Sequence, residues 1–273
     1  MIRLTNLKLA LDHNEDALKN IIMSTLKIRG EQLLDFSVFR RGIDARKKSN
    51  ILLLYTIDVK TTDEEALLSK FSDNQSIRLT PDMAYKFVSK APQELASRPV
   101  VIGFGPCGLF VGLVLAQMGF KPIILDRGKE VRERTKDTFS FWRKRTLNTE
   151  SNVQFGEGGA GTFSDGKLYS QVKDKKHYGR KVLDEFVKAG APEEILYVSK
   201  PHIGTFKLVT MVEKMRAMII ELGGEIRFSA RVDDLDIVDG KIKGLTLSNG
   251  DKIISDHIAL AIGQDRASTI INR

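Results

Sequence analysis

Two periods of apolar residues alternate along the chain, and the change from one to the other divides it into parts. Residues 2–11 alternate apolar and polar positions, the period-2 pattern of a half-buried strand. Asn14-Glu-Asp-Ala then opens a helix to about Ile28, in which Leu18, Ile21, Ile22 and Leu26 follow a 3.6 period before Gly30 closes it. Residues 33–40 and 51–60 read as two further strands around a polar, basic 41–50, and Thr62-Asp-Glu-Glu65 caps a second short helix. The order β-α-β-β-α predicts a small ferredoxin-like α+β domain over residues 1–71. Periodicity fades among Asp73, Asn74, Pro81, Asp82, Lys90 and Pro92, so 72–97 reads as a linker with room for one helical turn.

Beyond the linker the pattern becomes that of a buried α/β unit, taken as a Rossmann-type domain over residues 98–273. Residues 99–102 are a β-branched run, Gly103-Phe-Gly-Pro-Cys-Gly108 a turn, and 109–118 an apolar helix ended by Gly119. A second apolar run, 122–125, stops at Asp126. Strand, G-x-G-x-x-G, helix, strand and acid follow one another as a dinucleotide fold requires. Gly103 permits the tight turn, Gly105 lets a pyrophosphate approach the backbone, and Gly108 lets helix and strand pack closely. Phosphates would sit on the unpaired N–H groups at the helix start, and Asp126 lies where a ribose-binding acid belongs. Five glycines and prolines from Gly103 to Gly112, with Lys121 just after, speak against one membrane-spanning helix through this apolar stretch.

Residues 127–149 are polar and charged, carry Phe139, Phe141 and the sole tryptophan, Trp142, and yield no clear element. Asn152-Val-Gln-Phe-Gly-Glu-Gly-Gly-Ala-Gly-Thr-Phe-Ser-Asp-Gly-Lys-Leu168 follows. Its Gly156 to Gly161 formally repeats G-x-G-x-x-G, but no apolar strand precedes it, so it fails as a second Rossmann turn. It reads instead as a glycine-rich loop lining a cofactor, with Thr162, Ser164, Asp165 and Lys167 as polar contacts, or as a flexible loop without a ligand. Helices over 181–189 and 207–222 come next, the second aligning Leu208, Val212, Met215 and Ile219 on one face before Gly223-Gly224. Strands at 225–228, 232–237, 241–247 and 252–254, turned at Asp239-Gly240 and Asn249-Gly250, precede a last buried strand, 257–263. The sum is an α/β fold: a parallel sheet interrupted by an antiparallel β-meander.

Composition narrows the chemistry. The chain has 273 residues, 42% hydrophobic and 29% charged, as ordinary water-soluble domains have. Its net charge of +8 divides into +3 over residues 1–98 and +5 over the rest, so neither part is a basic tail. No aromatic interrupts the cluster Arg40, Arg41, Arg46, Lys47, Lys48, and only His177 and Tyr178 interrupt Lys173, Lys175, Lys176, Arg180, Lys181, too few for a single-strand stacking platform, so both read as solvated faces. Cys107 is the only cysteine, which rules out an internal disulfide and fits a reducing, cytoplasmic setting, and no leader pattern opens the sequence. No Cys/His metal spacing and no nucleophile elbow is present. His202 is a candidate proton donor or a hydrogen-bonded structural residue; Cys107, at the helix start, is a candidate thiolate or a small packed residue.

The Rossmann turn, Asp126-Arg127, the stretch from Asn152 to Leu168, Pro201-His-Ile-Gly-Thr and the closing Ala-Ile-Gly strand together resemble the bacterial FAD-dependent dehydrogenases with a ferredoxin-like N-terminal domain. The resemblance extends over nearly the whole chain and implies FAD as cofactor, with NADH or NADPH as a candidate electron donor. By it, Gly103, Gly105, Pro106, Cys107 and Gly108 would hold the pyrophosphate, and Asp126 the adenosine ribose, with Arg127 beside it. Val232 would meet adenine through its backbone, and Gly263 would lie by the pyrophosphate. Gly158, Gly159, Thr162, Ser164, Asp165, Gly166 and Lys167 would approach the flavin. Two features depart from the family: the usual His-Ser-Ala-Arg-Asp after the last strand is Gln264-Asp-Arg-Ala-Ser268, and the family continues through a substrate domain where this chain stops at Arg273. Together these readings make the chain an FAD-dependent oxidoreductase of unnamed substrate and catalytic residues, not membrane-bound, incomplete in its substrate half and able to self-associate there. The alternative from another class is a non-enzymatic nucleotide- or RNA-binding module.

Overall fold

The computed structural model describes residues 1–170 and 172–263. They form two compact units: residues 1–84, 168–183 and 192–201 in the first; 85–167, 184–191 and those from 202 on in the second.

In the first unit the chain runs β1 (Ile2–Ala10), α1 (Asp16–Leu26), β2 (Leu33–Asp44), β3 (Leu52–Thr61), α2 (Glu64–Lys70) and β4 (Ile77–Leu79). The four strands form one antiparallel sheet in the order β2-β3-β1-β4. Ile2, Leu4 and Leu7 of β1 pack with Tyr55, Ile57 and Val59 of β3 and with Ile22, Leu26 and Leu67 of the helices. Strict alternation would send Leu7 to the face opposite Leu4. The register shifts between those two residues, and Asn6, at φ 63°, takes up the extra position so that both reach the core. Asp63 caps α2 by accepting from the Ala66 N–H, while α1 ends earlier than Gly30 suggests, at Lys27 in the left-handed region. β4 lies inside the stretch expected to be a linker. Its three residues are too few to display a period, and its place is set by pairing with β1.

The second unit begins with β5 (Val100–Ile102), α3 (Pro106–Gln117), β6 (Ile123–Leu125) and α4 (Val131–Lys144). After α5 (Tyr178–Lys188), whose residues divide between the units, come α6 (Thr205–Glu221), β7 (Glu225–Arg227), β8 (Val232–Val238), β9 (Lys241–Leu247), β10 (Lys252–Ile254) and β11 (Ile258–Leu260). A parallel sheet has the order β11-β5-β6-β7, and the antiparallel meander the order β10-β9-β8. β5 is buried throughout, as a central parallel strand must be. Leu208, Val212, Met215 and Ile219 of α6 are all buried, as their spacing predicts. α4 is the element the sequence reading lacks. Its inward stripe is Val131, Arg134 and Thr138, one apolar residue and two polar ones, so its period is invisible to hydropathy.

Candidate functional site

From β5 the chain steps to β6 and β7 on one side, and β11 then returns to the other side of β5. That reversal opens a crevice at the strands' carboxyl ends, where doubly wound sheets bind ligands. A cavity of about 980 Å³ occupies it, lined by Ile102 to Cys107, Leu125 to Arg127, Gln154 to Gly156, Gly159, Ala160, Ala230 to Asp233 and Leu260 to Gly263.

The three glycines of the first turn stand there for different reasons. Gly103 has φ +99°, and a Cβ on it would lie 2.6 Å from the Ala261 carbonyl oxygen. One on Gly108 would lie 1.8 Å from the Gly103 oxygen. Both are therefore required by the fold. Gly105 is not: its φ is −72°, and the atom nearest an added Cβ is Gly159 Cα at 3.8 Å. Its missing side chain leaves room only in the cavity. α3 begins at Pro106 with no side-chain cap, and its first bond, Leu109 N–H to Gly105 O at 2.9 Å, leaves the amides ahead of it to an external acceptor. Exposed Cys107 sits in this first turn and lines the cavity.

Asp126 is 4% exposed and engaged with the backbone: Oδ2 accepts the Phe104 N–H and Oδ1 the Gly128 N–H, both at 2.7 Å. Burial pushes its carboxyl upward, against those two bonds and the charges of Arg134 and Arg127. It thus ties the glycine turn to the end of β6. Around it, Arg127 pairs with Glu150 and lies 4.4 Å above the Phe155 ring, while Arg231 bridges Glu150 at 3.2 Å and Asp233 at 2.8 Å.

The second glycine stretch folds over the first. Gly158 N–H donates to the Phe104 carbonyl at 2.9 Å, and Gly156, Gly158 and Gly159 all have positive φ. From behind, the fully buried Arg134 donates to the carbonyls of Asn152 (2.7 Å), Val153, Glu157 (2.7 Å) and Gly159 (2.9 Å). Burial draws its guanidinium down to about 10. Glu157, also fully buried, accepts the Val131 N–H at the start of α4 (2.7 Å) and faces Arg216 at 3.4 Å; burial pushes its carboxyl up to about 7. Neither residue stands out in the sequence: the 3.6 spacing of Val131, Arg134 and Thr138 could have pointed to Arg134, and no such period marks Glu157.

Gly103, Gly105, Pro106, Cys107, Asp126, Arg127, Gly159, Val232 and Gly263 come together on the cavity. Gly108 lies directly behind its wall. Gly158, Thr162, Ser164, Asp165, Gly166 and Lys167 are not among the lining residues. Thr162 is buried with an unpartnered hydroxyl, Ser164 Oγ donates to the Gly161 carbonyl (2.7 Å), Gly166 packs on Leu208, and Asp165 pairs with Lys167 at 3.7 Å in solvent. His202 is exposed, bridged through its backbone to Lys167, and away from the cavity. Gln264-Asp-Arg-Ala-Ser268 lies outside the described residues. Among the described residues no group of three His, Cys, Asp or Glu side chains is placed to hold a metal, and no helix is long and apolar enough to cross a membrane.

A family model described as a domain of unknown function (DUF8436) matches residues 1–60. An uncharacterised protein of Clostridium beijerinckii is 41% identical over 268 residues, which are 98% of this chain and 50% of that protein. The chain thus spans about half the length of the curated relative it matches. Among solved structures, Thermovibrio ammonificans THI4 is 19% identical with a TM-score of 0.41, over 64% of this chain and 60% of that one. Proteus vulgaris L-amino acid deaminase is 12% identical with a TM-score of 0.42, over 71% and 60%. OTEMO, solved with FAD and NADP, is 16% identical with a TM-score of 0.38, over 63% and 26%.

Proposed function

We propose that the second unit binds FAD in the crevice beside β5 and serves a flavin-dependent oxidoreductase whose substrate is unnamed. The observation that carries this reading is Gly105, a glycine that nothing in the protein demands and that borders a large cavity at an uncapped helix start. The backbone amides of Gly105 and Cys107 would take the pyrophosphate, with Pro106 holding the helix start between them and Gly103 and Gly108 shaping the turn behind. Val232 and Gly263 would flank the adenosine and the pyrophosphate. Asp126 still has a lone pair on each oxygen for a ribose hydroxyl, and Arg127 borders the same end. FAD, when bound, supplies the hydride or electron chemistry; these residues bind and orient it. NADH or NADPH is the electron donor in this reading. Residues 1–71 we read as the ferredoxin-like part, supported by the antiparallel order β2-β3-β1-β4, in which the last strand comes from just beyond them, at Ile77–Leu79.

Titration with FAD and with ADP, alongside Gly105→Val, tests the proposal. Wild type should bind both and Gly105→Val neither, with an unchanged far-ultraviolet spectrum, because the valine side chain fills the ligand's space and no other. Equal affinity in the two proteins would refute the site. Binding of RNA homopolymers in preference to FAD would favour the non-enzymatic alternative.

A further inference from the structure

Arg134 heads the largest fully buried side chains among the described residues, and it does not line the cavity. Four of its five N–H donors end on carbonyls of one loop, at Asn152, Val153, Glu157 and Gly159, and its guanidinium carbon lies 4.8 Å from the centre of the Phe163 ring. That loop holds three positive-φ glycines, Gly156, Gly158 and Gly159, which have no side chains to fix their own conformation. Its shape is imposed from outside. Gly159 is both a carbonyl held by Arg134 and the residue facing the phosphate turn: an added Cβ on it would come within 2.9 Å of Pro106 Cδ, and one on Gly105 within 3.8 Å of its Cα. A few tenths of an ångström at Gly159 therefore changes the width of the gap where a pyrophosphate would enter.

We infer that Arg134 is a positioning residue for the nucleotide pocket, holding the 152–163 loop at the separation from Gly105 and Pro106 that an adenine dinucleotide needs. The inference rests on the nucleotide reading of the site. The planar fork is what matches four carbonyls at once; a lysine, with three donors on one nitrogen, cannot span them. With its guanidinium drawn down only to about 10, the group stays charged at neutral pH, and each bond it makes is the strong, charge-assisted kind.

The experiment compares wild type, Arg134→Lys and Arg134→Ala for ADP and FAD binding by calorimetry, for thermal melting, and for amide exchange over residues 152–163. Arg134→Lys should keep its circular dichroism and a cooperative melt, exchange loop amides faster, and lose on the order of 100-fold in affinity, as expected when two charge-assisted bonds go. Millimolar guanidinium should restore part of the affinity of Arg134→Ala and leave wild type unchanged. Arg134→Lys binding as tightly as wild type would overturn the inference while leaving the nucleotide site standing. So would loss of the cooperative melt in both variants, which would make Arg134 a residue of the fold alone. If wild type binds neither ADP nor FAD, the nucleotide reading itself falls and this inference with it.

Discussion

Single residues decide what the glycine turn is for. Gly105→Val and Gly108→Ala look like similar insults to one motif, yet the structure separates them. A methyl on Gly108 meets the Gly103 carbonyl oxygen at 1.8 Å, so the backbone must move, and Gly108→Ala should lose several kcal/mol of stability in denaturant titration. Gly105→Val should leave stability within about 1 kcal/mol of wild type and remove binding instead. A second test at this scale concerns Glu157, whose carboxyl rises from 4.5 to about 7 on folding. The folded chain then holds that proton more tightly than the unfolded chain, so stability falls as pH rises through the window from about 4.5 to about 7 and levels off above it. The shift corresponds to about 3 kcal/mol. Glu157→Gln keeps an acceptor for the Val131 N–H and should flatten this dependence while raising stability at pH 8. An unchanged slope between pH 5 and 7 would assign the titration elsewhere.

Among the elements, those carried by apolar period were legible and those carried by polar contacts were not. α6 and the strands β8 to β10 fall where repeats of apolar residues and Asp-Gly or Asn-Gly turns put them. α4 was hidden because Arg134 and Thr138 take inward positions that hydropathy assigns to water. β4 was hidden because three residues carry no period, and its partner β1 lies more than seventy residues away in sequence. The same limit applies to the site. Spacing located the turn, Asp126 and the second glycine stretch, but a motif cannot reveal that Asp126 has both oxygens on backbone amides or that the loop depends on Arg134. Thr138 supplies a prediction for α4: its hydroxyl is fully buried without a partner, so the near-isosteric Thr138→Val should gain about 1 kcal/mol in chemical denaturation. A loss of that size instead would point to an ordered water bonded there. For the first sheet, residues 1–84 should resist urea better than 1–71, since only the longer piece keeps β4 against β1 and the Thr80 hydroxyl on Asp58, the buried partner of Arg3. Equal midpoints would mean that β4 adds nothing to the sheet.

For the whole molecule, solution behaviour turns on where apolar surface is left open. In the second unit the last turn of α4 and the residues after it leave Phe139, Phe141, Trp142 and Leu147 between 40% and 54% exposed, and no acid occurs between Asp137 and Glu150. Phe139 and Trp142 stack edge to face, with Phe163 beyond them, so this is one aromatic patch and not scattered side chains. Contiguous exposed aromatics of this kind drive association, while Arg143, Lys144 and Arg145 at the same place repel a second copy at low salt and are screened at high salt. The two effects oppose each other, which gives the prediction its sign. Sedimentation should show a species near 30.6 kDa at low ionic strength and heavier species as salt is raised, with Phe141→Ser plus Trp142→Ser holding the chain monomeric throughout. Trp142 is the only tryptophan, so its emission should shift to the blue over the same salt range and report on this patch alone. Association that weakens with salt, or that persists in the double variant, would move the contact to another surface.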